Sequence, residues 1–212
     1  LQAHIAEHHH QAAKLTSLDW LQLKRAAIAK DARLASDMGQ LRRVVLSAAL
    51  SGTPANQLSI VPTEDTALRA AVDSCFNCFY DARSDFALAS SVHHTLDKLS
   101  QHLPLVGITN GNVNAQKVGL DRYFTAILHA SVERPMKPAQ NMFDEAASLV
   151  KVTPSHILHV GDNIIKDVFG AINAGYQSAW FACNRPMQLK FEPVSVLPHV
   201  QLDSLEELIQ FV

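Results

Sequence analysis

Two carboxylates stand five residues apart in Gly161-Asp162-Asn163-Ile164-Ile165-Lys166-Asp167, directly behind the apolar run His156-Ile157-Leu158-His159-Val160. A hard cation such as magnesium takes oxygen ligands, using one or two protein carboxylates with substrate phosphate and water. Asp162, at the end of such a run, therefore reads as a metal ligand. The competing roles are a helix N-cap for Asp162 and a structural acid for Asp167. A second polar stretch, Thr109-Asn110-Gly111-Asn112, follows the apolar Leu105-Val106-Gly107-Ile108. Its hydroxyl, side-chain amide and close-approaching glycine backbone can donate to phosphate oxygens. Asn-Gly is also a common turn dipeptide, so this loop is weak evidence by itself. The third feature is Lys137, held before Pro138 in Glu133-Arg134-Pro135-Met136-Lys137-Pro138. Proline restrains the residue before it, which fixes the direction of an ammonium suited to a phosphate dianion. A lone lysine is more often a solvated surface charge.

These residues need elements to position them. From Leu1 to about Leu88 apolar residues recur at helical spacing, as in Leu15, Leu18, Leu21 and Ile28, then Leu41, Val44, Val45 and Ala48. Three or four helices are expected, with a break at Ser51-Gly52-Thr53-Pro54 and Thr63 as an N-cap. From Leu103 short apolar runs alternate with amphipathic stretches, the pattern of a parallel sheet wrapped by helices. Strands are expected at 105–109, 124–128, 156–160 and 177–181. Helical segments are expected at 115–118, at 139–150 behind Pro138, at 164–174 ended by Gly175, and at 205–211. Open sheets of this kind place ligands at the carboxyl ends of their strands, where Thr109 and Asp162 stand.

Bulk properties narrow the partners. With 18 basic residues against 20 acidic ones, the net charge of -2 gives no electrostatic case for nucleic acid or a membrane surface. A small molecule is the expected partner, and the chain is expected to be a monomer or weak homodimer. No apolar stretch has the length of a bilayer span and no secretory pattern appears, so a cytoplasmic location is expected. The three cysteines have no second pair at zinc spacing and read as reduced core thiols. His4 and His8 could share a helix face as metal ligands. The run His8-His9-His10, however, points around a helix rather than to one site.

In order, Ile108-Thr109-Asn110-Gly111, Lys137-Pro138, Val160-Gly161-Asp162 with Asp167, then Gly170-Ala171 and Ala174-Gly175 resemble motifs II, III and IV of the haloacid dehalogenase (HAD) phosphatases. The resemblance runs from about Leu96 to Cys183. It implies an α/β fold: a Rossmann-like parallel sheet core, residues 91–212, with an inserted α-helical cap, residues 1–90. Ala82-Arg83-Ser84 and Ile108-Thr109-Asn110-Gly111-Asn112 are further similar to bacterial HAD phosphatases acting on FMN and on the phosphorylated ribitylamino-uracil of riboflavin synthesis.

The resemblance implies a magnesium-dependent hydrolase that removes phosphate from a small phosphorylated metabolite through an aspartyl-phosphate. Lys137 and Asp167 would be catalytic, Thr109, Asn110 and Gly111 would bind the phosphate, and Asp162 would hold the metal. The family's motif I, an Asp-x-Asp that supplies nucleophile and general acid, occurs nowhere in the sequence. Because the chain opens in helical patterning, the expectation is that the motif I strand precedes Leu1 and that the 212 residues alone are inactive. The strands at 105–109 and 156–160 would then flank a slot, about 9–10 Å apart at twice the normal strand spacing. Two other functions fit the residues less well. A dehalogenase uses the same nucleophile without a metal, and a HAD-like binding module uses none.

Overall fold

The computed structural model describes residues 1–182, 185–193 and 196–212. The chain divides into two units. One comprises Leu1–Phe86 with Asn110–Val118 and Ser131–Glu133, and the other Ala87–Thr109, Gly119–Ala130 and Arg134–Val212. The sequence reading placed a single break near residue 90. The two short excursions after Thr109 and Ala130 are additional to it.

The first unit is helical, with α1 (Gln2–His8), α2 (Ser17–Lys30), α3 (Met38–Ser51) and α4 (Thr66–Arg83). Local chemistry sets these limits. Thr16 and Asp19 form a reciprocal capping box at the start of α2. Asp37 accepts from the Gln40 amide at 2.7 Å ahead of α3, and Gly52, at φ 69°, ends that helix in the left-handed region. The cap of α4 is Asp65, not Thr63. The Asp65 carboxylate accepts from Ala67 and Leu68 amides at 2.9 and 3.1 Å, whereas the Thr63 hydroxyl accepts from the Asp65 amide. Leu23, Ala27, Leu41, Val44, Val45, Leu46, Val72 and Cys75 build the core. Full burial of a side chain such as Leu46 contributes roughly 1.5–3 kcal/mol. Of the stripe expected here, Leu15 and Ile28 pack against this core, whereas Leu18 and Leu21 are exposed and Leu23 and Ala27 are buried in their place.

The second unit carries β1 (Val106–Thr109), β2 (Ala126–His129), β3 (Leu158–Gly161), β4 (Gln177–Trp180) and β5 (Val200–Gln201). All pairings are parallel, β1 with β2 and β4 between β3 and β5. Among the described residues the strands thus form two separate sheets, β1-β2 and β3-β4-β5. Helix α5 (Ser90–His102) and the C-terminal 3₁₀ turns of Leu205–Phe211 bring Leu99 and Leu208 against Ala179 and Leu202. Helix α6 (Asn141–Val150) packs Phe143 and Ala147 with Ala171 and Tyr176, and Met142 and Ala146 with Leu128.

Several expected elements differ. Residues 115–118 form a turn rather than a helix. Helix α6 starts at Asn141, not Ala139, because Ala139 donates back to the Met136 carbonyl in a turn. The expected helix 164–174 is a π-helical turn, Ile164–Phe169, followed by a short α7, Gly170–Asn173. Of the expected thiols, Cys75 is buried and Cys78 half-buried, while Cys183 lies outside the described residues.

Candidate active site

The sheet unit gathers Lys137, His159, Asn163 and Asp167 around one carboxylate. Asp167 Oδ1 lies 2.6 Å from Lys137 Nζ and 3.1 Å from His159 Nε2. Its Oδ2 accepts from the Asn163 amide at 2.9 Å. Lys137 Nζ also donates to the Ile108 carbonyl at the end of β1, 2.8 Å away. Both ion-pair side chains are buried, at 10% and 6% exposure, so this pair is not a screened surface contact. A buried charge of this kind is tolerated only with a partner and hydrogen bonds, and Asp167 has both.

The fold explains the convergence. The π-helical turn after β3 turns Asp167 back toward the strand it has just left, with the Asp167 and Val168 amides both donating to the Asn163 carbonyl. Gly161 makes this approach possible. A Cβ there would stand 2.3 Å from Asp167 Cγ and 2.4 Å from its Cβ, so only glycine fits. His159, one residue pair earlier on β3, is braced edge-on by Phe143 of α6 with ring centroids 5.1 Å apart.

Electrostatics follow from burial and charge. Burial works to raise the Asp167 carboxyl, but the His159 hydrogen bond and the Lys137 charge outweigh it. They hold the group well below the usual carboxylate range. Burial, helped by the Lys137 charge, pushes the His159 ring below its ordinary value. His159 is therefore a neutral N–H donor to Asp167 rather than a second cation. In the sequence His159 stands within the strand-like run 156–160, and its one distinguishing signal is a polar residue two positions before Gly161.

The other expected residues are placed as follows. Asp162 is exposed beyond the end of β3. Trp180 Nε1 and Arg185 donate to its backbone carbonyl at 2.9 and 3.1 Å, and no hydrogen bond or ion pair among the described residues engages its carboxylate. Thr109 ends β1 half-buried, its carbonyl accepting from Ala130 at 2.9 Å. Asn110 and Gly111 are grouped with the helical unit, as is Asn112. Both polar atoms of the Asn112 side chain are buried with no hydrogen-bond partner. Such an orphaned amide offers a ready donor and acceptor.

A hard divalent cation fits this chemistry in part. Asp162 is a carboxylate left open to an ion at a strand end, whereas Asp167 is saturated by Lys137, His159 and Asn163. One carboxylate is a partial ligand set for magnesium, which completes its shell with other oxygens.

Comparison with known proteins bears on this arrangement. The sequence profile of the haloacid dehalogenase-like hydrolases matches residues 8–175. Among curated proteins, the Escherichia coli 5-amino-6-(5-phospho-D-ribitylamino)uracil phosphatase YigB is 35% identical over 130 residues, 61% of this chain and 55% of that protein. Human N-acylneuraminate-9-phosphatase is 30% identical over 147 residues, 66% of this chain and 58% of its own length. The chain spans little more than half the length of these relatives. Among solved structures, a 2-haloacid dehalogenase from Pseudomonas syringae pv. Tomato superposes with a TM-score of 0.86 at 25% identity, covering 99% of this chain and 86% of that one. The HAD-hydrolase YfnB of Bacillus subtilis, bound to magnesium, superposes with a TM-score of 0.60 at 19% identity, covering 99% and 87%.

Proposed function

The chain belongs to the haloacid dehalogenase-like hydrolases, and from that membership we propose that it serves in hydrolysing the phosphate ester of a small phosphorylated metabolite. The buried Lys137–Asp167 ion pair at the strand ends carries this reading. It fixes one ammonium beside the end of β1, where a phosphate dianion needs a cation. The two curated relatives are both named as phosphatases of small phosphorylated compounds, which supports the substrate class. The riboflavin-pathway phosphate in the name of one, and FMN by the motif resemblance, are the first substrates to try.

Each residue has a distinct task in this reading. Lys137 balances phosphate charge as it builds in transfer. Asp167 touches no substrate in this arrangement; it positions Lys137. His159 in turn orients Asp167. Thr109, with Asn110 and Gly111 next to it in the chain, donates to phosphate oxygens. Asp162 would hold magnesium, which supplies charge neutralisation and orientation of the phosphate when bound. The attacking carboxylate is not among these residues, because the sequence has no Asp-x-Asp. The separation of β1-β2 from β3-β4-β5 supports a further strand bringing that nucleophile, which would form the aspartyl-phosphate.

A dehalogenase is the second reading, favoured by the overall likeness to the Pseudomonas syringae structure. The open carboxylate of Asp162 counts against it. An anion beside an attacking carboxylate repels it unless a cation intervenes. Assaying the complete gene product against phosphate monoesters and 2-haloacids, each with and without magnesium, decides between them. Phosphate release that requires magnesium supports the proposal. Halide release without metal, or no turnover of either class, overturns it.

A further inference from the structure

A second constellation lies in the helical unit. His4 and His9 come from the N-terminal helix region and Cys75 from the middle of α4. One ligand atom of each lies within 4.8 Å of the others. Cys75 is fully buried, and both histidines are half-buried. We propose that His4, His9 and Cys75 form a binding site for a borderline-soft d¹⁰ cation, zinc, that ties α1 to α4.

The geometry gives this set its coherence. In an unbroken helix His4 would pair with His8, four residues on. Here α1 stops at His8, and His9 leaves the helical conformation with φ -138° and ψ 66°. His8 instead stacks on His4, with ring centroids 4.6 Å apart, and donates from Nδ1 to the His4 carbonyl at 3.2 Å. Ser74, next to Cys75, meets His4 Nε2 at 3.1 Å and holds the ring against α4.

Two imidazoles and a thiolate are nitrogen and sulfur ligands that zinc prefers over the oxygen-seeking magnesium. Tetrahedral zinc with bonds of about 2.0–2.3 Å sets its ligands about 3.3–3.8 Å apart. The three ligand atoms, all within 4.8 Å of one another, are of that order of separation. Binding would break the S–H bond of Cys75, form the Zn–S bond and release one proton to solvent. Water would take the fourth position. Sequence reading missed the site because Cys75 lies far along the chain from the histidines.

The test uses the untagged chain stripped with a chelator, then titrated with zinc alone and with cobalt(II) as a spectroscopic substitute. One equivalent of zinc per chain is expected, with a thiolate-to-cobalt charge-transfer band in the near ultraviolet. Cys75→Ser should abolish the band, and His9→Gln should weaken zinc binding by more than about 100-fold, beyond what loss of a supporting contact costs. His10→Ala should bind as the parent does, which separates this site from loose binding by the histidine run. Circular dichroism checks that each variant folds, and His9, half-exposed, gives a variant less exposed to folding failure than Cys75. Absence of zinc binding by the parent, or binding and a cobalt band unchanged in Cys75→Ser, overturns the site.

Discussion

Lys137 Nζ stands 2.6 Å from Asp167 Oδ1 and 2.8 Å from the Ile108 carbonyl oxygen, so one ammonium joins the loop before α6, the end of β1 and the turn after β3. Replacing it removes charge from the proposed phosphate site and a partner from a buried anion. In the complete protein Lys137→Met should lower turnover on a phosphate monoester by roughly 10²–10³-fold, the scale of one preorganised electrostatic contact. It should also destabilise the fold by about 3–5 kcal/mol, the usual cost of orphaning one partner of a buried pair. Steady-state kinetics and urea unfolding measure the two separately. Turnover within about threefold of the parent, far short of that scale, ends the role assigned to Lys137.

The same cluster predicts how stability depends on acid. Asp167 is held well below the usual carboxylate range, so in acid the native state binds fewer protons than the unfolded chain. Its contribution is fully present above the unfolded value of about 4 and is lost as pH falls below it. His159, pushed down by burial, has the same sign in a higher window, below about 6.5. Unfolding free energy should therefore fall from pH 6.5 downward and steepen below pH 4, as about placed by those reference values. Asp167→Asn should flatten the lower limb and His159→Phe the upper one. Parallel curves for parent and Asp167→Asn would show that the carboxylate is not the acid-sensitive group.

How far these features could be read in advance depended on the distance over which they act. Four of the strands stand within one or two residues of where apolar runs placed them, since burial writes itself into consecutive residues. Strand β5 escaped notice because two residues, Val200–Gln201, are too few to show a pattern. The π-helical turn escaped because Ile164–Phe169 has an ordinary helical composition; its register is set by Asp167 finding Lys137 and His159. Thr63 lost the cap of α4 to Asp65 because the two compete only two residues apart. Asp162 and Lys137 were visible from type and position. His159 was not, because its partner is defined by the turn and not by the strand.

Asp162 should separate metal binding from folding. Its side chain is exposed at the end of β3, so Asp162→Asn should leave the urea midpoint unchanged within the about 0.5 kcal/mol typical of surface changes. Its effect should fall on the magnesium requirement. Activity of the complete protein should shift to higher metal concentration and return in part when magnesium is raised, since one carboxylate is only part of the ligand shell. A magnesium titration measures this. An unmoved titration curve assigns Asp162 to structure and leaves the metal without a ligand among these residues.

The open edges of the two sheets make the last prediction. Leu105 and Thr109 carbonyls accept from the β2 side, from Thr125 and Ala130 amides. By the alternation of a parallel ladder, Val106 and Ile108 direct their backbone groups to the opposite edge. The Ile108 carbonyl does face away from β2, since Lys137 occupies it. On β3 the Ile157 and Gly161 carbonyls accept from Gln177 and Phe181 of the β4 side, which leaves Leu158 and Val160 directed the other way. Exposed strand edges of this kind are templates for another strand, and each unpaired buried group costs about 1–3 kcal/mol. Hydrogen exchange of the 212-residue chain should therefore find the Val106, Ile108, Leu158 and Val160 amides fast and the Ala179 amide, inside its sheet, slow. Adding a strand peptide with an Asp-x-Asp end, or comparing the complete gene product, should slow those four amides together. Exchange equally slow at all four in the chain alone would mean that β1 and β3 pair with each other, leaving no place for a strand between them.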